Sequence, residues 1–182
     1  MLPIEALMDE HRIIERMIPP FKRELARMQM AQDVNAKFIE TAVDFIRTFA
    51  DHCHHGKEEG ILFRELRKKT LSAQHAAAMN QLMEDHAHSR RTTNNLAIAN
   101  ASFANGNAES WRDVWQSLND LVELFPQHIE KEDFNFFYPV MEYFASHELD
   151  AMLAEFWEFD KKLIRVKYET VVGELEKATA NE

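Results

Sequence analysis

The sequence predicts an all-α protein, a four-helix bundle with an additional C-terminal helix. Glycine and proline are scarce, with four and five residues in a chain of 182. So few turn-forming residues favour a small number of long elements, and this favours helices. Apolar residues recur at helical spacing, and no segment shows the alternation that is typical of a strand. An internal repeat relates the first two predicted helices to the next two.

Four segments carry the helical pattern before residue 147. The predicted helices span 3–30, 34–68, 72–104 and 109–146. In the first of them, Pro19 and Pro20 should kink or break the helix, because proline removes a backbone donor and clashes with the preceding turn. Asn105-Gly106-Asn107 is the clearest turn between two elements.

The last segment, 147–178, has a broad apolar face and is predicted to be a fifth helix packed on the outside of the bundle. The face consists of Leu149, Leu153, Phe156, Trp157, Phe159, Leu163 and Val166. We therefore expect a four-helix domain over 1–146 and a C-terminal helical extension over 147–182.

The internal repeat concerns polar residues. Leu7-Met8-Asp9-Glu10-His11 resembles Leu82-Met83-Glu84-Asp85-His86, and His54-His55-Gly56-Lys57-Glu58-Glu59 resembles His128-Ile129-Glu130-Lys131-Glu132-Asp133. The interval between the first and second motif is 43 residues in one half and 42 in the other. Two helix pairs related in this way predict a bundle with approximate two-fold symmetry.

Composition excludes several classes of function. The chain has 31 acidic and 21 basic residues, a net charge of −10, which disfavours binding to nucleic acid. No apolar run is long enough to span a membrane, and the first residues lack the pattern of a signal peptide. The single cysteine, Cys53, allows no internal disulfide. We expect a cytoplasmic protein.

The repeated polar residues lie where the pattern predicts the core. His11 and His86 fall on apolar stripes, and His128 and Glu132 continue the stripe of the fourth helix. Buried histidine and glutamate are costly unless something compensates them. Residues four apart share one helix face, so each His-x-x-x-Glu pair can reach one site. Two such carboxylates can bridge a pair of metal ions, and imidazole with carboxylate suits iron when no thiolate is offered.

Helix two leaves a choice between two ligand pairs. Its first and last parts do not share one stripe, and the register shifts near His54-His55-Gly56, as a local bulge would cause. Stripe analysis therefore does not choose between His54 with Glu58 and His55 with Glu59. The repeat favours the first pair, because Lys57-Glu58-Glu59 matches Lys131-Glu132-Asp133.

These motifs resemble the hemerythrin family in its HHE cation-binding form, over about residues 5–140. The resemblance rests on Glu10-His11, His54 with Glu58-Glu59, Asp85-His86, and His128 with Glu132-Asp133. It implies two iron ions bridged by oxide or carboxylate inside an up-down-up-down four-helix bundle. The implied terminal ligands are His11, His54, His86 and His128, and the implied bridges are Glu58 and Glu132.

The sequence departs from the oxygen-carrying hemerythrins at one place. They have a fifth histidine one turn after the ligand of helix three, and here that place is Arg90, which cannot ligate. Glu15, His55 and Glu59 are further candidate ligands, although each is expected more readily at the surface or behind a ligand.

The resemblance implies a di-iron protein that binds or senses a small diatomic molecule or peroxide: oxygen, peroxide or nitric oxide. Two alternatives use the same ligands, namely an enzyme that removes peroxide or oxygen and an iron donor for damaged iron centres. The sequence leaves open whether the protein is an enzyme, and whether it is a monomer or a homodimer.

Overall fold

A computed structural model describes residues 1–161 and 164–180 of the chain. Most of these residues are helical and none lies in a β-strand, which confirms the predicted all-α class. The α-helices are α1 (Pro3–Ala31), α2 (Ala36–Phe45), α3 (Phe63–Leu66), α4 (Ala73–Ala104), α5 (Trp111–Glu130), α6 (Phe137–Met141), α7 (Ser146–Asp160) and α8 (Ile164–Ala180). The described residues also contain a first, a second and a third π segment: Ile46–His55, Glu58–Leu62 and Lys131–Phe136.

Local side-chain contacts set two of the helix starts. The side chain of Asn35 accepts a hydrogen bond from the backbone N–H of Phe38, and that of Ser72 accepts one from His75, each at 3.1 Å. Both are N-caps, which satisfy backbone donors that have no partner within the helix. Gly106 lies in the predicted turn with φ of 96°, a backbone conformation that favours glycine.

Helix α1 continues through Pro19 and Pro20, so the predicted break does not occur there. Met17 and Phe21, on either side of the two prolines, are both fully buried. Their packing outweighs the local preference of proline, since most helical stability in proteins comes from tertiary contacts.

The second predicted helix is a series of shorter elements: α2, the first and second π segments, and α3. The expected register shift near His54-His55-Gly56 is therefore confirmed. A π turn adds one residue to the helical repeat, so the residues that follow face a different direction than α-helical periodicity predicts.

The predicted fifth helix over 147–178 is divided into α7 and α8 within the described residues. The physical reason is that the two helices bury apolar residues in different places. Met152 and Phe156 of α7 join one apolar cluster, whereas Tyr168 and Val172 of α8 join another. Leu163 lies outside the described residues, and the side chain of Val166 does as well. The division of the chain at residue 146 stays a prediction.

The two apolar clusters occupy opposite ends of the main helices. The first contains Ile14, Phe49, Leu96 and Phe125, among others, and the second contains Leu7, Phe63, Leu82 and Phe137. Along α1, the chain passes from Leu7 in the second cluster to Ile14 in the first, with His11 between them. No helix of the described residues is long and apolar enough to cross a membrane.

Candidate metal centre

A layer of buried polar side chains lies between the two apolar clusters. The six residues that the sequence favours as ligands all belong to it and are at most 3% exposed: His11, His54, Glu58, His86, His128 and Glu132. They come from α1, the first π segment, the second π segment, α4, α5 and the third π segment, in that order. The layer thus joins α1, α4, α5 and the three π segments at one level.

The donors form two clusters that share one carboxylate. The two-histidine cluster consists of His11, His54, Glu58 and Glu132, and the three-histidine cluster consists of His55, Glu58, His86 and His128. Within each cluster, one donor atom from every residue lies within 4.8 Å of the others. Each cluster could therefore hold a metal ion, and Glu58 belongs to both clusters.

Several donor atoms of this layer have no hydrogen-bond partner among the described residues. They are Nε2 of His11, Nε2 of His54, and both carboxylate oxygens of Glu58 and of Glu132. His11 Nε2 and Glu132 Oε2 are only 3.1 Å apart, yet they are not aligned as a hydrogen bond. Buried polar groups are almost always satisfied, and an unpaired buried carboxylate is especially costly. Unpaired imidazole nitrogens and carboxylate oxygens that lie so close to one another are suited to coordinate cations.

The other ring nitrogen of each histidine contacts a carboxylate. The Nδ1 distances are 2.7 Å for His11 to Asp133, 3.0 Å for His54 to Glu10, 2.7 Å for His86 to Glu59, and 3.4 Å for His128 to Asp85. Such a carboxylate fixes the ring orientation and leaves Nε2 free for a metal. The apolar stripes and the His-x-x-x-Glu spacing do not assign this role to Glu10, Asp85 or Asp133. The repeat contained the signal, since each of these acids stands beside a repeated ligand.

Each of these carboxylates also pairs with a basic residue. The pairs are Asp133 with Arg12, Glu10 with Lys57, Glu59 with Arg90, and Asp85 with Lys131. The negative charge behind each imidazole is therefore balanced locally. The arrangement follows the sequence repeat, because Lys57 and Lys131 are equivalent, as are Glu10 and Asp85.

His55 is buried in the three-histidine cluster, whereas the sequence favours a place at the surface or behind a ligand. Its ring stacks on His86, with ring centroids 3.9 Å apart and an angle of 14° between the planes. The first π segment ends at His55 and brings both His54 and His55 into the layer. A regular α-helix would separate successive residues by about 100°, since it has 3.6 residues per turn.

The other lower-ranked candidates lie outside both clusters. Glu15 is partly exposed, and its carboxylate lies 3.1 Å from Arg12. Glu59 contacts Nδ1 of His86. Arg90 hydrogen-bonds Glu59 at 2.9 Å and Asp51 at 2.7 Å.

Comparison with known families gives a clear result. The family model described as hemerythrin HHE cation-binding domain matches residues 2–140. The chain belongs to the hemerythrin HHE cation-binding family. Searches of curated proteins and of solved structures gave no significant match. The match covers the whole polar layer of this hemerythrin domain, and α7 and α8 lie beyond it.

The hemerythrin domain holds unusual protonation states when no cation is bound. Burial alone would lower the pKa of His11 and of His86, but the nearby carboxylates outweigh it and raise the values to about 10 and about 11. Burial and the neighbouring His86 lower the pKa of His55 well below its ordinary value. Burial would raise the pKa of Glu132, but His128 and His11 hold it well below its ordinary value. The raised pKa values keep His11 and His86 protonated at neutral pH, where they face ionised Glu132, and a cation bound at these imidazoles would displace the protons.

Helix α7 reaches back to this layer from outside the hemerythrin match. Lys57 is fully buried, and its ammonium contacts Glu10 and, at 2.5 Å, Asp160 at the end of α7. The equivalent Lys131 has a side chain that is 45% exposed and lies 2.8 Å from Asp85. The completely buried ammonium of Lys57 is therefore held between two carboxylates, and one of them comes from the C-terminal extension.

The protonation of His11 and His86 predicts the pH dependence of the metal-free protein. Their folded pKa values lie above the unfolded value of about 6.5. The stability they contribute is complete below about pH 6.5 and is lost as the pH rises towards 10 and 11. Urea unfolding of chelator-treated protein should give a lower free energy of unfolding at pH 9.5 than at pH 6.5. Metal-loaded protein is the control and should show a smaller decrease. Equal or greater stability of the metal-free form at pH 9.5 would contradict this assignment.

The contact of Lys57 with Asp160 predicts that α7 stabilises the hemerythrin domain. Asp160→Asn leaves the buried ammonium with one carboxylate, and should reduce the free energy of unfolding by about 1–3 kcal/mol. Glu158→Gln is the matched control on the same helix. Its side chain is 65% exposed and pairs only with Lys161 in the described structure, so we expect a change within about 0.5 kcal/mol. Equal effects of the two substitutions, measured by chemical unfolding, would show that the Lys57–Asp160 contact does not hold α7 in place.

Proposed function

We propose that this chain is a hemerythrin-like, non-haem di-iron protein that binds or senses oxygen, peroxide or nitric oxide. The observation that carries the proposal is the position of Glu58 in both donor clusters, with both of its carboxylate oxygens buried and without a hydrogen-bond partner in the described residues. A carboxylate in that position suits a bridge between two ions better than a contact with one. Glu132 has the same two unpaired oxygens and is proposed as the second bridge.

The chemistry of the donors supports iron. The two clusters offer imidazole and carboxylate and no thiolate, a set that suits iron and is poorer for ions that prefer sulfur. Cys53 is a member of neither cluster. Burial raises the pKa of its thiol to about 12, so the thiolate that a metal would need is disfavoured.

Iron would supply a change of redox state and a coordination position for a small molecule. The protein's part is to hold the donors and to keep the layer dry. Phe137 stacks on His11 at 5.6 Å, and Phe63 stacks on His86 at 6.0 Å, so an aromatic ring covers one face of a histidine in each half. The outer carboxylates keep Nδ1 of the four histidines occupied and direct Nε2 to the centre.

We also propose that the helices carrying these donors form the up-down-up-down bundle. His11 and His86 lie in the first half of α1 and of α4, whereas His54 and His128 lie in the second half of the elements that return. Contacts at the far end agree with this arrangement. The indole of Trp115, early in α5, donates a hydrogen bond to the carbonyl of Leu25, late in α1.

The proposal predicts stoichiometric iron and reversible ligand binding. Protein loaded with ferrous iron and then oxidised should contain about two irons per chain. It should bind azide, and nitric oxide in the reduced form, with spectral changes that reverse when the ligand is removed. Stoichiometric zinc without iron, from cells supplied with iron, would contradict the iron assignment. Consumption of many equivalents of peroxide per site would favour the enzyme, and rapid transfer of iron to an apo acceptor would favour the donor.

Three variants test the role of the glutamates in that experiment. Glu58→Gln and Glu132→Gln should each lose most bound iron, because each removes a group proposed to contact both ions. Glu59→Gln should keep more iron, because groups behind a ligand typically change metal affinity by about 10–100-fold. Equal loss of iron in all three variants would show that the choice of Glu58 over Glu59 as the bridging carboxylate is wrong.

A further inference from the structure

The two donor clusters differ in one residue that has no counterpart in the repeat. The position equivalent to His55 in the second half is Ile129, which is buried in the first apolar cluster. His55 is 2% exposed and lies instead among His86, His128 and Glu58. One half of the approximately symmetrical layer therefore has an additional imidazole.

His55 is oriented in the same way as the other histidines of the layer. Its Nδ1 lies 3.4 Å from Oδ1 of Asp51, one helical turn earlier on the first π segment. With Nδ1 directed to that carboxylate, Nε2 is the nitrogen available for a cation. His86 follows the same pattern, since its Nδ1 contacts Glu59 and its Nε2 lies 3.2 Å from Glu58.

Arg90 connects the carboxylates behind these two rings. Its Nε donates to Asp51 and its Nη2 donates to Glu59. One guanidinium thereby fixes the carboxylates that contact His55 and His86. Arg90 and Asp51 also line a surface cavity of about 370 Å³ together with Ser89 and Thr93. Arg90 thus lies on the solvent side of the three-histidine cluster. The carboxylates of Asp51 and Glu59 lie between its guanidinium and the imidazoles of that cluster.

We propose that His55 is a third imidazole ligand of the ion held by His86 and His128, and that Arg90 is a positioning residue that orients His55 through Asp51. The inference rests on the proposed two-iron centre and makes its two ions chemically different. One ion has three histidines, and the other has His11 and His54. The first π segment supplies the additional imidazole, and Arg90 supplies the positive charge that holds Asp51 behind it.

The test compares His55→Leu with His88→Leu in the full chain loaded with ⁵⁷Fe. Leucine matches the apolar residue found in the other half of the repeat, and His88 is an exposed residue of α4. Mössbauer spectra of the parent protein should contain two components of equal area. In His55→Leu, one component should change and the other should stay, and one of the two irons should pass to a chelator at least about tenfold faster. His88→Leu should match the parent in both measurements.

Arg90→Met and Arg91→Met form a second pair, useful also where His55→Leu does not fold. Arg91 is the exposed neighbour of Arg90 on the same helix. Arg90→Met should perturb the same spectral component as His55→Leu by a smaller amount, Arg90→Lys should restore part of the signal, and Arg91→Met should have no effect. If His55→Leu keeps two irons with the parent's Mössbauer components and rate of iron release, this inference is overturned and the di-iron proposal stays intact. A parent protein without two bound irons would overturn the di-iron proposal itself.

Discussion

The burial of imidazoles and carboxylates in the middle of an apolar core is the constraint on which the rest of this structure depends. Glu58 and Glu132 are completely buried, and neither has a hydrogen-bond partner for its oxygens in the described residues. Desolvating an isolated carboxylate costs several kcal/mol even after relaxation. In the absence of a cation, protonated His11 and His86 supply the opposing charge. With cations bound, the metal would replace that charge and satisfy the unpaired oxygens.

The same constraint explains the residues behind the layer. A carboxylate behind each imidazole would itself be unfavourable if it were unpaired, and each one contacts an arginine or lysine. Three of the four basic side chains are 40–52% exposed, whereas Lys57 is fully buried. Asp160 of α7 is a second carboxylate on the buried ammonium of Lys57, so a helix beyond the hemerythrin match contacts the charged groups behind one half of the layer. The C-terminal segment thereby contacts a residue behind the site and provides no candidate ligand to either histidine cluster.

The sequence alone predicts the features that depend on local patterns and on the internal repeat. Scarce turn formers predict the helices, and the repeat groups six residues that the structure places in one buried layer. That these six residues bind metal stays a prediction. The apolar stripes do not choose between His54 and His55, because 3.6-residue periodicity cannot follow a register that changes within a π segment. The repeat favours His54, because it aligns His54 with His128 and His55 with Ile129. The contact of Asp160 with Lys57 joins residues 103 apart in the chain, so no local pattern could reveal it. The division into α7 and α8 likewise depends on which apolar cluster each helix meets.

Anomalous diffraction from crystals of the iron-loaded protein, recorded on both sides of the iron absorption edge, tests the central claim most directly. The account predicts two iron peaks in the polar layer, one contacting His11 and His54 and the other contacting His86 and His128, with the Glu58 carboxylate contacting both. A single peak, or two peaks without a shared Glu58 contact, would contradict the interpretation of the buried layer as a carboxylate-bridged pair of cation sites.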